Sequence, residues 1–314
     1  MIYVEMYGRL GNQFFRYAAA RSIQKKYYPT EQLICSFNQI YEEAKNDKSF
    51  YNTLQDYNVA PYTEYHKKGK VIFNESSFLQ KIVSVPYYLG LRNIPTVEMN
   101  RQVSYQNKWE YILNEAGIYW FRNGQYDIRK SKQPNKFLSG NFESPKYFSD
   151  IRDILLIELT PKHAPLEKNR AMYEKIQSTN SICISVRRGD FETNEKFKGL
   201  HSVCNREYFL KAIDKAKELI KDPTFFFFSD DIQWVKENIQ TGCETYSEDG
   251  TDPVWEKLRM MSMCKHFIIS NSTFSWWAQY LSTNDNKIVV APSRWFNNDF
   301  KSPLIEPDFI TIEV

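Results

Sequence analysis

A short run of residues, Val186–Asp190 with the sequence VRRGD, combines two arginines and a carboxylate directly behind an apolar segment. The apolar segment, Ile182–Ser185, predicts a buried strand, so the arginines leave its carboxyl end. In an open α/β sheet, that edge is where ligands bind. Arginine presents a planar fork of donors that suits phosphate oxygens, and the run therefore predicts a bound anion. The alternative is a surface turn in which Arg188 and Asp190 form an ion pair.

Two other polar segments also follow predicted strands. Ser229–Asp231 comes after the buried strand Thr224–Phe228, and Ser270–Ser275 comes after the strand Phe267–Ile269. Hydroxyl groups and the N–H groups of a helix start can bind a phosphate. An aspartate at a strand end can accept from a ribose hydroxyl or from the N–H edge of guanine. Together, the three segments predict a nucleoside-diphosphate site at one edge of a sheet.

Helix capping is the alternative explanation for these polar residues. Ser272 or Ser275 would cap the helix that follows the serine-rich segment. Asp230 or Asp231 would cap the helix that begins at Ile232. The two aspartates also raise the question of a metal ion. Adjacent carboxylates on a strand point to opposite faces, and the arginines already supply positive charge for a diphosphate. We therefore predict no metal site.

The amino-terminal segment has a similar strand-to-helix junction. It predicts a strand over Ile2–Met6, a turn over Tyr7–Gln13 and a helix over Phe14–Lys26. Two glycines in the turn would allow the backbone to bend tightly and approach a ligand, although a purely structural turn has the same pattern. Residues 27–135 show no clear periodicity, and several helices separated by loops are compatible with them. A further strand is predicted after them, over Phe137–Phe142.

The second half of the chain alternates between strand and helix patterns, which predicts a parallel sheet of Rossmann type. A polar segment with two prolines, Thr160–Arg170, predicts a linker, and hence domains over residues 1–160 and 171–314. The predicted elements are Ile182–Val186, Arg206–Leu219, Thr224–Phe228, Ile232–Ile239, Val254–Cys264, Phe267–Ile269, Trp276–Leu281 and, as the last strand, Lys287–Ala291.

Composition excludes several classes of protein. The 314 residues carry 41 basic and 38 acidic side chains, a net charge of +3 that is too balanced for a nucleic-acid binder. Five cysteines without a CxxC pair predict free thiols in a reducing compartment. No segment has the pattern of a signal peptide or a transmembrane helix. We expect a cytoplasmic protein, and peripheral contact with the inner face of the membrane stays open.

Six motifs of this chain are similar to those of the α-1,2-fucosyltransferases of glycosyltransferase family 11. They occur in the family's order and extend over nearly the whole chain, so chance does not explain the set. The motifs are Tyr7–Ala18, Val186–Phe191, Phe227–Val235, Met261–His266, Ser270–Trp277 and Val290–Phe296.

The resemblance implies a GT-B-like architecture, with two Rossmann-like α/β domains facing a cleft and a parallel sheet in the carboxyl-terminal domain. The amino-terminal domain would bind the acceptor and the carboxyl-terminal domain the GDP-sugar. It also implies GDP-β-L-fucose as donor, no metal or other cofactor, and inversion to an α-L-fucoside, with O2 of galactose in a glycan as the acceptor. The alternatives are another linkage, another sugar nucleotide, or a catalytically silent glycan-binding protein.

The resemblance also implies roles for individual residues. Arg187 would hold the β-phosphate of GDP, with Arg188 and Asp190 supporting its loop. Asp230 or Asp231 would bind the nucleoside. The remaining donor-site residues would be Asn12, which faces the reacting sugar, and Ser272, Thr273 and Ser275, which bind the diphosphate.

Three carboxylates are candidates for the group that accepts the proton of the attacking hydroxyl. Asp190 and Glu195 lie in or near the arginine loop, and Glu143 lies in a loop that would face the acceptor. Asp190 has the alternative role of orienting Arg188. One position departs from the family: Ser185 stands two residues before the first arginine, where a histidine is usual. We therefore expect the donor contact of that histidine to be lost or reshaped.

Overall fold

The computed structural model describes residues 1–189 and 195–314, and the side chains of residues 195–197 are not included in that description. The chain divides into two compact units, Met1–Thr160 and Pro161–Val314. Residues 161–170, which the sequence assigns to a linker, belong to the second unit. Each unit contains its own parallel sheet.

The sheet of the first unit has five strands in the order β3-β2-β1-β5-β4, and every pairing is parallel. Only β1 and β5 lie where the sequence predicts strands, and β5 is shorter than its predicted segment, Phe137–Phe142. The others have two to four residues, too few to show a period of their own. The strands are β1 Ile2–Glu5, β2 Leu33–Ser36, β3 Tyr62–Glu64, β4 Ile118–Tyr119 and β5 Lys136–Leu138.

The first helix begins earlier than the sequence predicts. α1 starts at Leu10, so Gly11 and Asn12 lie in its first turn and not in the preceding turn. The chain reverses at Gly8, whose φ of 72° is one that residues with a side chain rarely adopt. The helices of this unit are α1 Leu10–Tyr27, α2 Asn38–Glu43, α3 Val71–Glu75, α4 Phe78–Arg92, α5 Met99–Glu115 and α6 Arg152–Glu158, with 3₁₀ turns at Thr53–Asp56, Pro145–Tyr147 and Ser149–Ile151.

The sheet of the second unit has six parallel strands in the order β11-β10-β9-β6-β7-β8. This is the doubly wound order, in which the chain reverses its direction of travel between β6 and β9. Ligands of such sheets bind beyond the carboxyl ends of the strands at that reversal. The strands are β6 Asn180–Val186, β7 Pro223–Ser229, β8 Thr245–Ser247, β9 His266–Ile268, β10 Val289–Pro292 and β11 Ile310–Ile312.

The predicted parallel sheet is therefore confirmed, with two corrections to its edges. The sequence misses β8, and it names Lys287–Ala291 as the last strand although β11 follows and pairs with β10. Both missed strands have three residues. The helices are α7 Arg170–Ser178, α8 Glu195–His201, α9 Arg206–Leu219, α10 Ile232–Asn238, α11 Val254–Met263 and α12 Thr273–Tyr280, with a 3₁₀ turn at Glu167–Asn169.

The core of the second unit holds the ends of its central strands in register. β6 and β7 pair along seven residues, from Asn180 with Pro223 to Val186 with Ser229. The buried face of α9 packs onto this sheet, and the hydroxyl of Tyr208 donates a hydrogen bond to the carbonyl of Ile269, just after β9. This bond ties α9 to the end of β9, where the serine-rich segment begins.

We expect Tyr208→Phe to lower the free energy of unfolding by about 1–2 kcal/mol, because a buried carbonyl loses its donor. Urea denaturation measures the change. Tyr246→Phe is the matched control, since the hydroxyl of Tyr246 contacts the exposed Glu244 carboxylate. Equal free energies of unfolding for the two variants would contradict a structural role for the Tyr208 hydroxyl.

Candidate active site

The arginine that follows β6 is held by a carboxylate that follows β7. Nη1 of Arg187 lies 2.7 Å from Oδ2 of Asp230. Oδ1 of Asp230 accepts a hydrogen bond of 2.9 Å from the backbone N–H of Arg188. The side chains of Arg187 and Asp230 are 26% and 25% exposed, so the pair is partly buried but still meets solvent. Asp230 thus fixes both the direction of Arg187 and the start of its loop.

The second arginine is held by the start of α10. The guanidinium of Arg188 lies 3.9 Å from the centroid of the Trp234 ring, a distance typical of a cation–π contact. Its Nε lies 3.4 Å from Oδ2 of Asp231. Oδ1 of Asp231 accepts a hydrogen bond from the backbone N–H of Trp234, so this residue caps α10, as the capping alternative predicts. Arg188 and Asp231 therefore form part of the frame around Arg187.

Three buried serines connect the strands on either side of the chain reversal. The hydroxyl of Ser275 donates to the hydroxyl of Ser185 at 2.6 Å, and it lies 3.1 Å from the hydroxyl of Ser270. Ser270 and Ser275 are fully buried, and Ser185 nearly so. Ser185 lies in β6, at the position where the family usually has a histidine. Its small hydroxyl group is hydrogen-bonded to Ser275 of α12. Ser275 is used for packing between elements and does not cap the helix.

The start of α12 is a different case, because its first residues are partly exposed. The helix begins at Thr273, three residues earlier than predicted, with Ser272 at the N-cap position. The hydroxyl of Ser272 does not bond to the helix, so the capping alternative does not account for this serine. The first N–H groups of a helix have no partner within it and favour an anion. Ser272 and Thr273 are thus placed to bind one.

Asn271 is a positioning residue that the sequence analysis missed. Its side-chain nitrogen donates to the carbonyls of His201 and Trp295, both at 2.9 Å. These bonds join the end of α8 and the loop after β10 to the segment after β9. Asn271 lies within the motif Ser270–Trp277, where its position between two serines was the available signal.

A second polar cluster lies at the carboxyl edge of the first unit's sheet. Glu5 ends β1, and its carboxylate accepts from the hydroxyl of Ser139 at 2.8 Å and from the backbone N–H of Val71 at 3.0 Å. Arg16, buried in α1, donates to the carbonyl of Glu5 at 2.5 Å. The sequence analysis missed both Glu5 and Arg16. Charged residues inside otherwise apolar segments were the signal for them.

Glu143 belongs to this cluster. Burial raises the pKa of Glu143 to about 7, and the nearby Arg16 opposes that rise. Burial in turn lowers the pKa of Arg16 to about 10. Nη2 of Arg16 lies 3.4 Å from Oδ1 of Asn141, and its buried Nε has no hydrogen-bond partner among the described residues. A carboxyl group with a pKa near neutrality can exchange a proton at physiological pH.

The other predicted site residues are placed as follows. Asn12 lies partly exposed in the first turn of α1, and its side chain occupies the space that a Cβ atom at Gly8 would need. Asp190 lies outside the described residues. Glu195 begins α8, but its side chain lies outside them too. The predicted ion pair between Arg188 and Asp190 therefore stays a prediction.

Three further features are the cysteines, the possible metal-ligand groups and the possible membrane-spanning helices. All five cysteines are unpaired, as predicted. Within residues 1–189 and 195–314, no group of three or more histidine, cysteine, aspartate or glutamate side chains could hold a metal ion. The helices in the described part of the chain include none that could span a lipid bilayer.

A family model and a known relative match this chain over nearly its whole length. The model of the family described as Glycosyl transferase family 11 matches residues 1–313. The O-antigen biosynthesis glycosyltransferase WbnK of Escherichia coli is 27% identical over 311 residues, which are 97% of this chain and 98% of that protein.

Two further relatives match over part of the chain. An alpha-1,2-colitosyltransferase of Escherichia coli is 31% identical over 186 residues, 57% of this chain and 63% of that protein. Galactoside alpha-(1,2)-fucosyltransferase 1 of Homo sapiens is 33% identical over 178 residues, 53% of this chain and 47% of that protein.

Among solved structures, NodZ alpha-1,6-fucosyltransferase soaked with GDP-fucose has a TM-score of 0.50 at 14% sequence identity. The likeness covers 90% of this chain and 92% of that one. At this identity it bears on the fold alone. Together with the two parallel sheets, it confirms the predicted GT-B-like α/β class.

Gly189 offers a test of the geometry around Arg187. A Cβ atom at this position would lie 2.5 Å from Oδ2 of Asp230, so Gly189→Ala must displace the carboxylate that holds Arg187. We expect a loss of about 1–3 kcal/mol in the free energy of unfolding, measured in urea. Gly199→Ala is the matched control, because nothing lies within 4 Å of its Cβ position. Unchanged stability of Gly189→Ala would contradict the close approach.

Proposed function

The chain belongs to glycosyl transferase family 11, and we propose that it moves L-fucose from GDP-β-L-fucose to a hydroxyl of a galactose-containing glycan. The observation that carries the donor side is the arginine held by Asp230 beyond the carboxyl end of β6. A guanidinium in that place, beside the point of chain reversal, suits a diphosphate. The relative named as a galactoside alpha-(1,2)-fucosyltransferase supports O2 of galactose as the acceptor atom.

The donor would be bound by three elements of the second unit. Arg187 binds the β-phosphate, and Ser272 and Thr273 bind the diphosphate with their hydroxyls and the N–H groups at the start of α12. Asp231 is the more exposed of the two aspartates, and we assign it the contact with the nucleoside. Asp230 holds Arg187.

The reaction requires charge to be stabilised on the leaving group. Breaking the bond between the anomeric carbon and GDP places negative charge on the β-phosphate, while the sugar becomes oxocarbenium-like. Arg187 and the start of α12 supply preorganised positive charge and dipoles at that phosphate, so we propose that no metal ion is required. The acceptor hydroxyl attacks the opposite face of the sugar in one displacement. The α-L-fucoside is therefore formed with inversion.

The attacking hydroxyl must lose its proton, and we assign its acceptance to Glu143. Glu143 follows β5 and lies beside the buried guanidinium of Arg16. Its pKa of about 7 suits a base that is ionised at neutral pH and can still hold a proton. Arg16 beside it limits the rise of that pKa, which keeps part of the population ionised.

A second candidate donor is a GDP-linked sugar other than fucose. Two observations support a donor of this kind. They are the similarity to an alpha-1,2-colitosyltransferase and the presence of Ser185 in place of the family's usual histidine. A small hydroxyl bonded to Ser275 offers the donor a different contact from an imidazole. Incubation with GDP-fucose and GDP-colitose in parallel, with product analysis of the linkage, separates the two donors.

Replacing the leaving-group arginine should weaken nucleotide binding. GDP is expected to raise the melting temperature of the wild-type protein, and Arg187→Ala to weaken GDP binding at least about tenfold, because the diphosphate loses its cation. EDTA is expected to have no effect. Arg170→Ala, which removes an exposed guanidinium elsewhere in the second unit, is the control.

Two outcomes would contradict the assignment. GDP binding by Arg187→Ala equal to that of the wild type would remove the arginine from the site. A wild-type protein that is stabilised by free sugars but by no nucleotide would favour the glycan-binding alternative.

Removing the proposed base should affect turnover and not donor binding. We expect Glu143→Gln to lower kcat by about 10²–10⁴-fold while GDP still binds. The wild-type rate should rise as pH increases through about 7, because Glu143 accepts a proton only when ionised. In the variant this dependence should disappear. Wild-type turnover of Glu143→Gln, with Asp190→Asn inactive, would move the role to the arginine loop.

A further inference from the structure

α4 exposes five large apolar residues, although its opposite side is buried in the unit, where Gln80 and Ser84 lie beside Tyr87 and Leu91. Phe78 and Leu79 are 78% and 68% exposed, and Ile82, Val85 and Leu89 are exposed as well. Their spacing places them along one side of the helix. We call these five residues the outer face of α4.

The inner face explains why the helix cannot turn these residues inward. Gln80 is buried, and its side-chain nitrogen donates to the carbonyls of Ala116 and Asn135 at 2.8 and 2.9 Å. The buried hydroxyl of Tyr87 donates to the carbonyl of Trp120. Rotation of the helix would leave these buried carbonyls without donors, at a cost of about 1–3 kcal/mol each. The outer face is therefore fixed toward the outside of the unit.

The charged residues of α4 and of the segment that precedes it in the chain are almost all positive. Lys81 and Arg92 are exposed and are the only charged residues of α4. The segment that precedes α3 adds Lys67, Lys68 and Lys70. Glu75 is the one acidic residue between positions 66 and 92, and it pairs with Lys67. A second protein would need an acidic rim around an apolar centre to match this surface, whereas an anionic bilayer presents both features along a flat plane.

We propose that the outer face of α4 binds the surface of an anionic lipid bilayer, with the helix lying in the plane of the interface. Phenylalanine, leucine and isoleucine on one side, with lysine and arginine beside them, are the composition of interfacial helices. The apolar side chains enter the boundary between headgroups and acyl chains, and the basic groups contact lipid phosphates. This surface is independent of the proposed donor and acceptor, since neither takes part in the binding.

Flotation with lipid vesicles tests this surface on the full-length protein. One set of vesicles contains phosphatidylcholine alone, and the other contains phosphatidylcholine with about one third phosphatidylglycerol, which supplies a negative surface potential. We expect the wild type to float with the anionic vesicles and to dissociate as salt is raised. The combined variant Phe78→Ser, Ile82→Ser, Leu89→Ser should bind at least about tenfold more weakly.

Two controls separate the surface from general effects. Ile157→Ser changes an isoleucine of α6 that is 71% exposed and away from α4, and it should bind vesicles as the wild type does. Lys81→Gln with Arg92→Gln should weaken the preference for anionic vesicles. The triple variant should keep the wild-type melting temperature, because the replaced side chains are exposed.

Three results would overturn the proposal. The first is that the wild type binds neither set of vesicles, and the second is that the triple variant binds them as strongly as the wild type does. The third is a dimer of the wild type in lipid-free solution that the triple variant does not form. The last result, seen by light scattering, would assign the outer face to a second copy of the chain. No nucleotide or glycan is present in these assays, so a failure here leaves the proposed transferase reaction intact.

Discussion

The ion pair between Asp230 and Arg187 is the interaction on which the candidate donor site depends. The carboxylate of Asp230 orients the guanidinium of Arg187. It also accepts a hydrogen bond from the backbone N–H group of Arg188, at the start of the loop. It can do both because β6 and β7 are adjacent and parallel, so their carboxyl ends lie side by side. Gly189 leaves room for it. A guanidinium positioned before a ligand arrives loses little conformational freedom when it binds an oxyanion.

Much of the second unit could be predicted because its central strands are long apolar runs between amphipathic helices. α9 has the predicted bounds, Arg206–Leu219, and the three polar segments follow neighbouring strands as expected. The sequence left open which of the two aspartates caps α10, and it did not indicate that the other one holds Arg187. Asp230 holding Arg187, and Asp231 capping α10 beside Arg188, depend on side-chain directions that spacing does not specify.

The first unit was harder to predict for a physical reason. Its strands have four residues or fewer, and their stability comes from pairing and from the helices packed on them. The cluster of Glu5, Arg16 and Glu143 is assembled from β1, α1 and the segment after β5, which are far apart in sequence. Burial then raises the pKa of one carboxyl group and lowers that of the arginine beside it. Sequence suggested Glu143 as a base, but not its partner.

The hydrogen bonds beneath α4 also affect how this region can evolve. Gln80 and Tyr87 secure the helix from the inside, so the side chains on its other side contribute little to the folding free energy. Substitutions on the outer face of α4 are therefore nearly neutral for stability. Selection can act on these residues only through their contacts with the surroundings of the protein. Such a helix can change what its outer side contacts while the sheet beneath it keeps its structure.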